Sequence, residues 1–112
     1  MPRPRKRRFV QGPPIVDAFL PNTMPPWGRQ EVFLPIEALE AIKLSDFQGL
    51  DQETAARMMN VSRQTFGRIL AEARATVADA LVTGKILRIE GGHFDMPPRV
   101  RGRHRRGWGG RF

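Results

Sequence analysis

Two helical patterns separated by a turn of only a few residues occupy the middle of this sequence. Asp51 is a favourable N-cap for a helix over "DQETAARMM", and Ser62 is one for a second helix that continues to Gly84. Asn60 lies between them, and asparagine tolerates the left-handed backbone that a chain reversal needs. Alanines in the first helix allow the second to approach closely. The pattern predicts a helix-turn-helix.

The second of these helices has an apolar stripe at helical spacing. The stripe consists of Phe66, Ile69, Leu70, Ala73, Val77, Ala80 and Leu81. A preceding helix is predicted to start near Pro35, with Glu37 and Glu40 in its acidic first turn. Its apolar face is predicted to be Leu39, Ile42 and Phe47. These patterns predict a mostly α domain built around a three-helix unit.

The flanking sequence differs from this helical middle. We predict a basic disordered arm (1–8), a proline-rich extended wrap (9–34), a helix-turn-helix domain (35–92) and a disordered Arg/Gly-rich tail (93–112). Prolines between Phe9 and Arg29 argue against helix or sheet there. "EVFL" at 31–34 and the alternating "ILRIE" at 86–90 are predicted to be strands, which would form a short two-stranded β element if they pair.

The basic charge is concentrated at the two ends of the chain. The net charge is +8, with five basic groups in residues 1–8 and six arginines in residues 99–112. Residues 9–98 hold eight basic and eleven acidic residues, a net charge of −3. Basic tails beside a mildly acidic body favour a polyanionic partner, and nucleic acid is the first candidate. A solubilising tail and attraction to anionic lipid are the alternatives.

Several function classes find little support in the residues. The chain has no cysteine, no signal-peptide pattern and no membrane-spanning run, so we expect a cytoplasmic protein with no membrane association. The two histidines, His93 and His104, lie in sequence predicted to be flexible. His93 with Asp95 is weak evidence for a metal site, and a loop histidine is the simpler interpretation. We therefore predict no enzymatic activity, no metal and no cofactor.

Polar side chains cluster at the exposed start of the second helix of the pair. At about 100° per residue, Arg63, Gly67 and Arg74 fall on one line, away from the apolar stripe. Arginine matches the paired acceptors of guanine and glutamine matches adenine, which predicts insertion into the DNA major groove. The predicted contacts are Ser62, Arg63, Gln64, Thr65, Gly67, Arg68 and Arg74, with Arg3, Arg5, Lys6, Arg7 and Arg8 on phosphates or in the minor groove. An ordinary solvated helix face is the alternative.

Gly67 has two interpretations. Glycine inside a helix costs about 1 kcal/mol relative to alanine, so its position among the predicted contacts suggests that a missing side chain permits close approach to DNA. Alternatively, glycine at this position only relieves crowding against the preceding helix.

A family resemblance supports the same function. The stretches "SRQTFGRIL", "ADAL", "GK" and "LRIEGG", with the start "RPRK", are typical of a family of small, uncharacterised prokaryotic proteins described as DNA-binding. Their helix-turn-helix is similar to the promoter-reading C-terminal domain of sigma factors. The resemblance covers Met1 to Gly92 and implies a DNA-binding regulator of transcription. Asn60 stands where glycine is common in the family, and the Arg/Gly-rich tail lies outside the resemblance.

Three other partners remain open. The tail "RGRHRRGWGGRF" combines arginine and glycine with a tryptophan that can stack on an unpaired base, which suggests RNA as an alternative to duplex DNA. A sigma-like surface can also serve as a protein-interaction module. The second half of the last helix has apolar surface to spare, which suggests a homodimer.

Overall fold

The computed structural model describes residues 7–23 and 29–96, and about half of these residues are helical. The helices are α1 (Ile36–Ile42), α2 (Gln52–Met58) and α3 (Arg63–Thr83), with a π-helical turn over Lys43–Phe47 after α1. The strands are β1 (Arg8–Phe9), β2 (Ala18–Phe19), β3 (Glu31–Leu34), β4 (Ile86–Ile89) and β5 (Phe94–Asp95). Three helices with small sheets are roughly consistent with the mostly α prediction.

Strand β4 is the centre of a three-stranded sheet in the order β2-β4-β3. It pairs in parallel with β3, so the two predicted strands do pair, which the sequence had left open. All three helices lie in the crossover between these parallel strands, so the pairing closes the helical region across its ends. The prediction of a two-stranded element was incomplete, because β2 pairs antiparallel with the other edge of β4.

Strand β2 also corrects the expectation that residues 9–29 form no sheet. Ala18 pairs with Arg88 and Phe19 with Leu87, and the amide of Ile89 donates to the carbonyl of Asp17 at 2.9 Å. The physical reason is the burial of β4, since a buried backbone polar group without a partner costs free energy. The two residues of β2 are enough to provide hydrogen-bond partners for this side of β4, although prolines flank the segment.

A second sheet joins the two ends of the described chain. Strand β1 pairs in parallel with β5, and the amide of Val10 donates to the carbonyl of Asp95 at 2.8 Å. Val10 is 2% exposed and anchors the segment in the core. The predicted disordered arm was therefore wrong at Arg7 and Arg8, and the predicted disordered tail was wrong at 93–96, because long-range pairing orders them. Residues 1–6 and 97–112 lie outside the described residues.

The core consists of two adjoining clusters. One lies between the sheet, α1 and the second half of α3, and contains Val10, Leu34, Ile36, Ala38, Ala73, Ala80, Leu87 and Ile89. The other lies between α1, α2 and the first half of α3, and contains Ala41, Leu44, Ala55, Ala56, Met59, Phe66 and Leu70. Helix α3 belongs to both clusters and is the element that connects them.

Two residues of the predicted apolar faces are exposed. Phe47 is 83% exposed because the π-helical turn adds a residue to its turn and brings Leu44 into the core instead, as the bond from the Gln48 amide to the Lys43 carbonyl shows. Leu81 is 78% exposed because Ala80 occupies the core position in that turn. The rest of the α3 stripe is buried or half-buried, as predicted.

No helix within 7–23 and 29–96 combines the length and the apolar character needed to cross a bilayer.

We predict that Phe66→Ala and Leu70→Ala each lower the free energy of unfolding by about 2–5 kcal/mol, because both side chains are at most 1% exposed and truncation leaves a cavity between α3 and α2. Chemical unfolding followed by circular dichroism measures this. Phe33→Ala is the control, since Phe33 is 51% exposed on β3 and should lose far less. Equal losses at Phe33 and Phe66 would contradict the assignment of the buried face.

Candidate nucleic-acid interface

The turn between α2 and α3 is held by the local interactions that the sequence predicted. The Thr54 amide donates to the Asp51 carboxylate at 2.7 Å, and this hydrogen bond holds the pKa of Asp51 below its usual value. Asn60 has φ +60°, and the Ser62 hydroxyl accepts from the Thr65 amide at 3.0 Å. Both predicted caps and the left-handed asparagine are confirmed. Only residues 59–62 separate the two helices.

The far end of α3 is also held as predicted. Gly84 has φ +74°, and its amide donates to the Ala80 carbonyl at 2.9 Å. The Arg29 guanidinium donates to the Gly84 carbonyl and so closes this end of the helix. Lys85 pairs with Asp79 at 2.9 Å, which lowers the pKa of that carboxyl. Helix α3 is therefore capped at both ends, which fixes its direction and length.

The start of α3 presents polar side chains on the side opposite the core. Arg63, Gln64 and Arg68 are exposed, while Phe66 and Leu70 on the other side are buried against α2. The Ser62 side chain is exposed, and Thr65 and Gly67 are half-buried. We call the six positions Ser62, Arg63, Gln64, Thr65, Gly67 and Arg68 the α3 edge. Six of the seven residues predicted to contact DNA from this helix and its cap therefore lie within about two turns.

Gly67 faces the start of α2 without crowding it. A Cβ atom built on Gly67 would meet only the Gln52 side-chain oxygen, at 3.5 Å, which is an ordinary van der Waals distance. Alanine therefore fits between the helices. Relief of crowding by a methyl group therefore does not explain the glycine, and close approach to DNA remains the other interpretation of Gly67.

Arg74 has a different environment from the one predicted. Its guanidinium forms two hydrogen bonds to the Asp46 carboxylate, at 3.1 Å from Nε and 2.6 Å from Nη2. These bonds raise the pKa of Arg74 and lower that of Asp46, so both groups stay charged. The pair links α3 to the π-helical turn. Arg74 lies on the predicted line, but two of its nitrogen atoms are paired within the protein, and we therefore leave it out of the α3 edge.

Of the two described arginines of the predicted arm, Arg7 is paired and Arg8 is buried. Arg7 contacts the carbonyl of Phe94 at 3.3 Å and the Asp95 carboxylate at 3.4 Å. Arg8 is only 8% exposed in β1, and its Nε and Nη1 atoms have no hydrogen-bond partner among the described residues. Burial makes Arg8 a poor phosphate ligand. Arg3, Arg5 and Lys6 lie outside the described residues.

Sequence patterns failed to reveal the role of Glu37. This residue was predicted only as part of an acidic first turn, and it is 7% exposed. Its carboxylate accepts a hydrogen bond from the His93 amide at 3.1 Å, and a Cβ on Gly92 would clash with the same oxygen. Gly92 also has φ +109°. The pair of glycines after Glu90 was the available signal, because it allows the chain to pass this closely over α1.

Glu40, also on α1, is a second buried carboxylate. It is 4% exposed and pairs with Lys43 at 3.3 Å, and Lys43 also donates to the Gln11 side chain at 3.1 Å. These contacts bind the extended segment to α1. Within the described ranges, no three His, Cys, Asp or Glu side chains approach closely enough to hold a metal ion.

The electrostatics of the α3 edge are mixed. Arg63 and Arg68 provide its positive charge, while Asp51 and Glu53 at the start of α2 are exposed nearby in sequence and negative. An edge of this kind has hydrogen-bond donors and acceptors for base recognition, but little net charge with which to attract a polyanion over distance.

Comparison with known proteins gives a family but no activity. A family model described as "Protein of unknown function DUF134" matches residues 1–97. A UPF0251 protein of Caldanaerobacter subterraneus subsp. tengcongensis is 50% identical, with 96% of each chain covered. Another of Thermoanaerobacter pseudethanolicus is also 50% identical, with 97% of this chain and 98% of the relative covered.

A third relative matches over a shorter stretch. A UPF0251 protein of Desulfosudis oleivorans is 52% identical over 94 residues, covering 84% of this chain and 68% of the relative. The names of these relatives state no function. No solved structure matches the chain significantly.

Proposed function

We propose, from the premise that this chain belongs to the DUF134 family of uncharacterised prokaryotic proteins, that it binds duplex DNA sequence-specifically and regulates transcription. In this proposal α2 and α3 act as a helix-turn-helix unit, and the start of α3 enters the major groove. Such a regulator acts in the cytoplasm, where the prokaryotic chromosome lies. It works by binding, without a cofactor.

One observation supports the proposal most strongly. Arg63, Gln64 and Arg68 project from one exposed edge at the start of a capped helix of 21 residues. Arginine pairs with O6 and N7 of guanine and glutamine with N6 and N7 of adenine, so these residue types can distinguish base pairs in the major groove. The buried Phe66 and Leu70 hold the helix so that this edge faces outward.

The neighbouring groups suit contacts with phosphate. The Ser62 hydroxyl oxygen accepts the capping hydrogen bond, which leaves its proton free to donate to a phosphate oxygen. Thr65 lies one turn into the helix, and the free backbone N–H groups of the first turn carry the positive end of the helix dipole. These contacts would set the orientation of α3 on the duplex, while the exposed arginines and glutamine read the bases.

The residues outside the described ranges supply the remaining attraction. Residues 1–6 contain Arg3, Arg5 and Lys6, and residues 97–112 contain six arginines, together nine of the nineteen basic residues. We propose that they bind phosphates or the minor groove beside the α3 site. Arg7, Arg8 and Arg74 are left out of this role because their guanidinium groups are buried or paired.

We predict that Arg63→Ala and Gln64→Ala each weaken binding to a preferred duplex by about 1–3 kcal/mol, because each removes a base contact. Titrations on the preferred duplex and a scrambled one measure this, with circular dichroism as the folding check. Arg88→Ala is the matched control, since Arg88 pairs with Glu31 at 3.3 Å on the sheet. An unchanged affinity in both α3 variants would contradict the groove assignment.

We predict that Gly67→Ala has opposite effects on stability and binding. The free energy of unfolding should rise by up to about 1 kcal/mol, because alanine favours the helix and its methyl group meets nothing closer than 3.5 Å. Affinity for DNA should fall, because the same methyl group separates α3 from the duplex. Unfolding curves and titrations on one preparation measure both. Gly12→Ala is the control, with open space around it and no role at the edge. Unchanged DNA affinity would overturn this role for Gly67.

We predict that removing residues 1–6 and 97–112 flattens the dependence of log affinity on log salt by several units, because each neutralised phosphate contributes about 0.9 to the slope. The truncation keeps every described strand and helix, including β1 and β5. The preference for cognate over scrambled duplex should persist in ratio, since the α3 edge is intact. Titrations over a range of salt concentrations measure both quantities. A full salt slope in residues 7–96 would mean that the tails do not bind DNA.

A further inference from the structure

A large apolar surface extends from the π-helical turn, past residues 15–20, to the second half of α3. Its members are Ile15, Val16, Phe19, Leu20, Phe47 and Leu81, which are between 41% and 83% exposed. We call these six residues the apolar face. Soluble monomers rarely leave so many large apolar side chains together in water, and contiguous patches of this kind usually mark an interface.

The apolar face has the shape of a ridge between two grooves. One groove, of about 540 Å³, runs from Phe47 past Ile15 to Phe19. The other, of about 470 Å³, runs from Phe19 past Leu20 to Leu81 on α3. Phe19 lines both grooves and is itself 59% exposed, so it is the ridge that separates them.

The position of Phe19 follows from the strand register. Phe19 pairs with Leu87, which pairs with Val32, so the three side chains share one face of the sheet. Leu87 and Val32 belong to the core, where α3 covers this face of the sheet. Phe19 lies on the same face, on strand β2, beyond the part that α3 covers. The face is thus an extension of the core that the described residues of one molecule leave uncovered.

We propose that the apolar face is a homodimer interface, in which the Phe19 ridge of each copy enters a groove of the other. A ridge beside a groove is self-complementary under a two-fold rotation, which is the requirement for an isologous contact. A second copy therefore supplies both the shape and the apolar chemistry that this surface needs.

The area of the face agrees with a dimer. With roughly 150–200 Å² for a large apolar side chain, the six residues expose on the order of 700 Å² at their measured exposures. A standard interface takes about 800 Å² from each partner. Lys43 and Lys85 stand at the groove edges and form intramolecular ion pairs, so charged groups do not oppose the contact.

Dimerisation would leave the DNA-reading edge free. Leu81 lies eighteen residues after Arg63 on the same helix, about 27 Å along its axis. Where the apolar face includes α3, at Leu81, it is therefore at the opposite end of that helix from the α3 edge. A dimer would present two such edges to one duplex, but the proposed contact rests on the apolar face and does not depend on DNA binding.

Sedimentation of the full chain over a range of concentrations at high salt tests the proposal without any DNA. The parent protein should sediment as a dimer at micromolar concentrations. Phe19→Gln and Leu81→Gln should each raise the dimer dissociation constant tenfold or more. Phe33→Gln is the matched control: Phe33 is 51% exposed but pairs with Arg88, on the opposite face of the sheet, and this change should alter the constant less than twofold.

Circular dichroism of each variant separates loss of the dimer from loss of the fold. A parent that is monomeric at about 100 μM, or larger assemblies in place of a dimer, would overturn the proposal. So would a dimer that Phe19→Gln and Leu81→Gln weaken no more than Phe33→Gln does. These outcomes would leave the DNA-binding proposal untouched, since it is measured by titration with a duplex.

Discussion

The packing of Phe66 and Leu70 against α2 determines which side of α3 faces solvent, and the proposed DNA-binding site depends on that orientation. Both side chains are at most 1% exposed, and they lie in a cluster with Ala55, Ala56 and Met59. Because a helix has one buried side, fixing these two residues in the core turns Arg63, Gln64 and Arg68 toward solvent. The small alanines of α2 let the two helices approach closely. A larger residue at either alanine would separate α2 from α3 and redirect the edge.

The sheet and the buried carboxylates hold this helical unit in one orientation. Parallel pairing of β3 with β4 brings together segments that are more than fifty residues apart, and all three helices lie between them. The Glu37 carboxylate accepts a hydrogen bond from the His93 amide, which joins the segment after β4 to α1. Arg74 and Asp46 join the middle of α3 to the π-helical turn. Together these long-range contacts fix the first half of α3 relative to the rest of the fold.

Local signals in the sequence were sufficient wherever a neighbouring group decides the structure. Asp51, Asn60, Ser62 and Gly84 have the predicted conformations because caps and left-handed turns depend on residues within one helical turn. The strands at 31–34 and 86–89 also follow from their own patterns.

The features that were missed depend on contacts between distant residues or on a local departure from regular helix geometry. Arg8 is buried because β1 pairs with β5 more than eighty residues away, and nothing near Arg8 indicates this. Phe47 is exposed because a π-helical turn shifts the spacing that a regular helix would have. Arg74 lies on the predicted outer line, but an aspartate twenty-eight residues earlier takes its donors. Of the residues predicted to contact DNA from α3, those at its start form the α3 edge, and Arg74 is left out.

Selection of preferred sequences from a random duplex pool tests most directly whether the start of α3 reads DNA. The full chain should enrich one short motif, and a Gln64 variant carried through the same selection should change the preference at one position of that motif while keeping the others. That result would place Gln64 against a base pair. Enrichment of no duplex motif, together with enrichment of sequences from a parallel single-stranded RNA pool, would contradict the groove and make the Arg/Gly-rich tail the nucleic-acid-binding element.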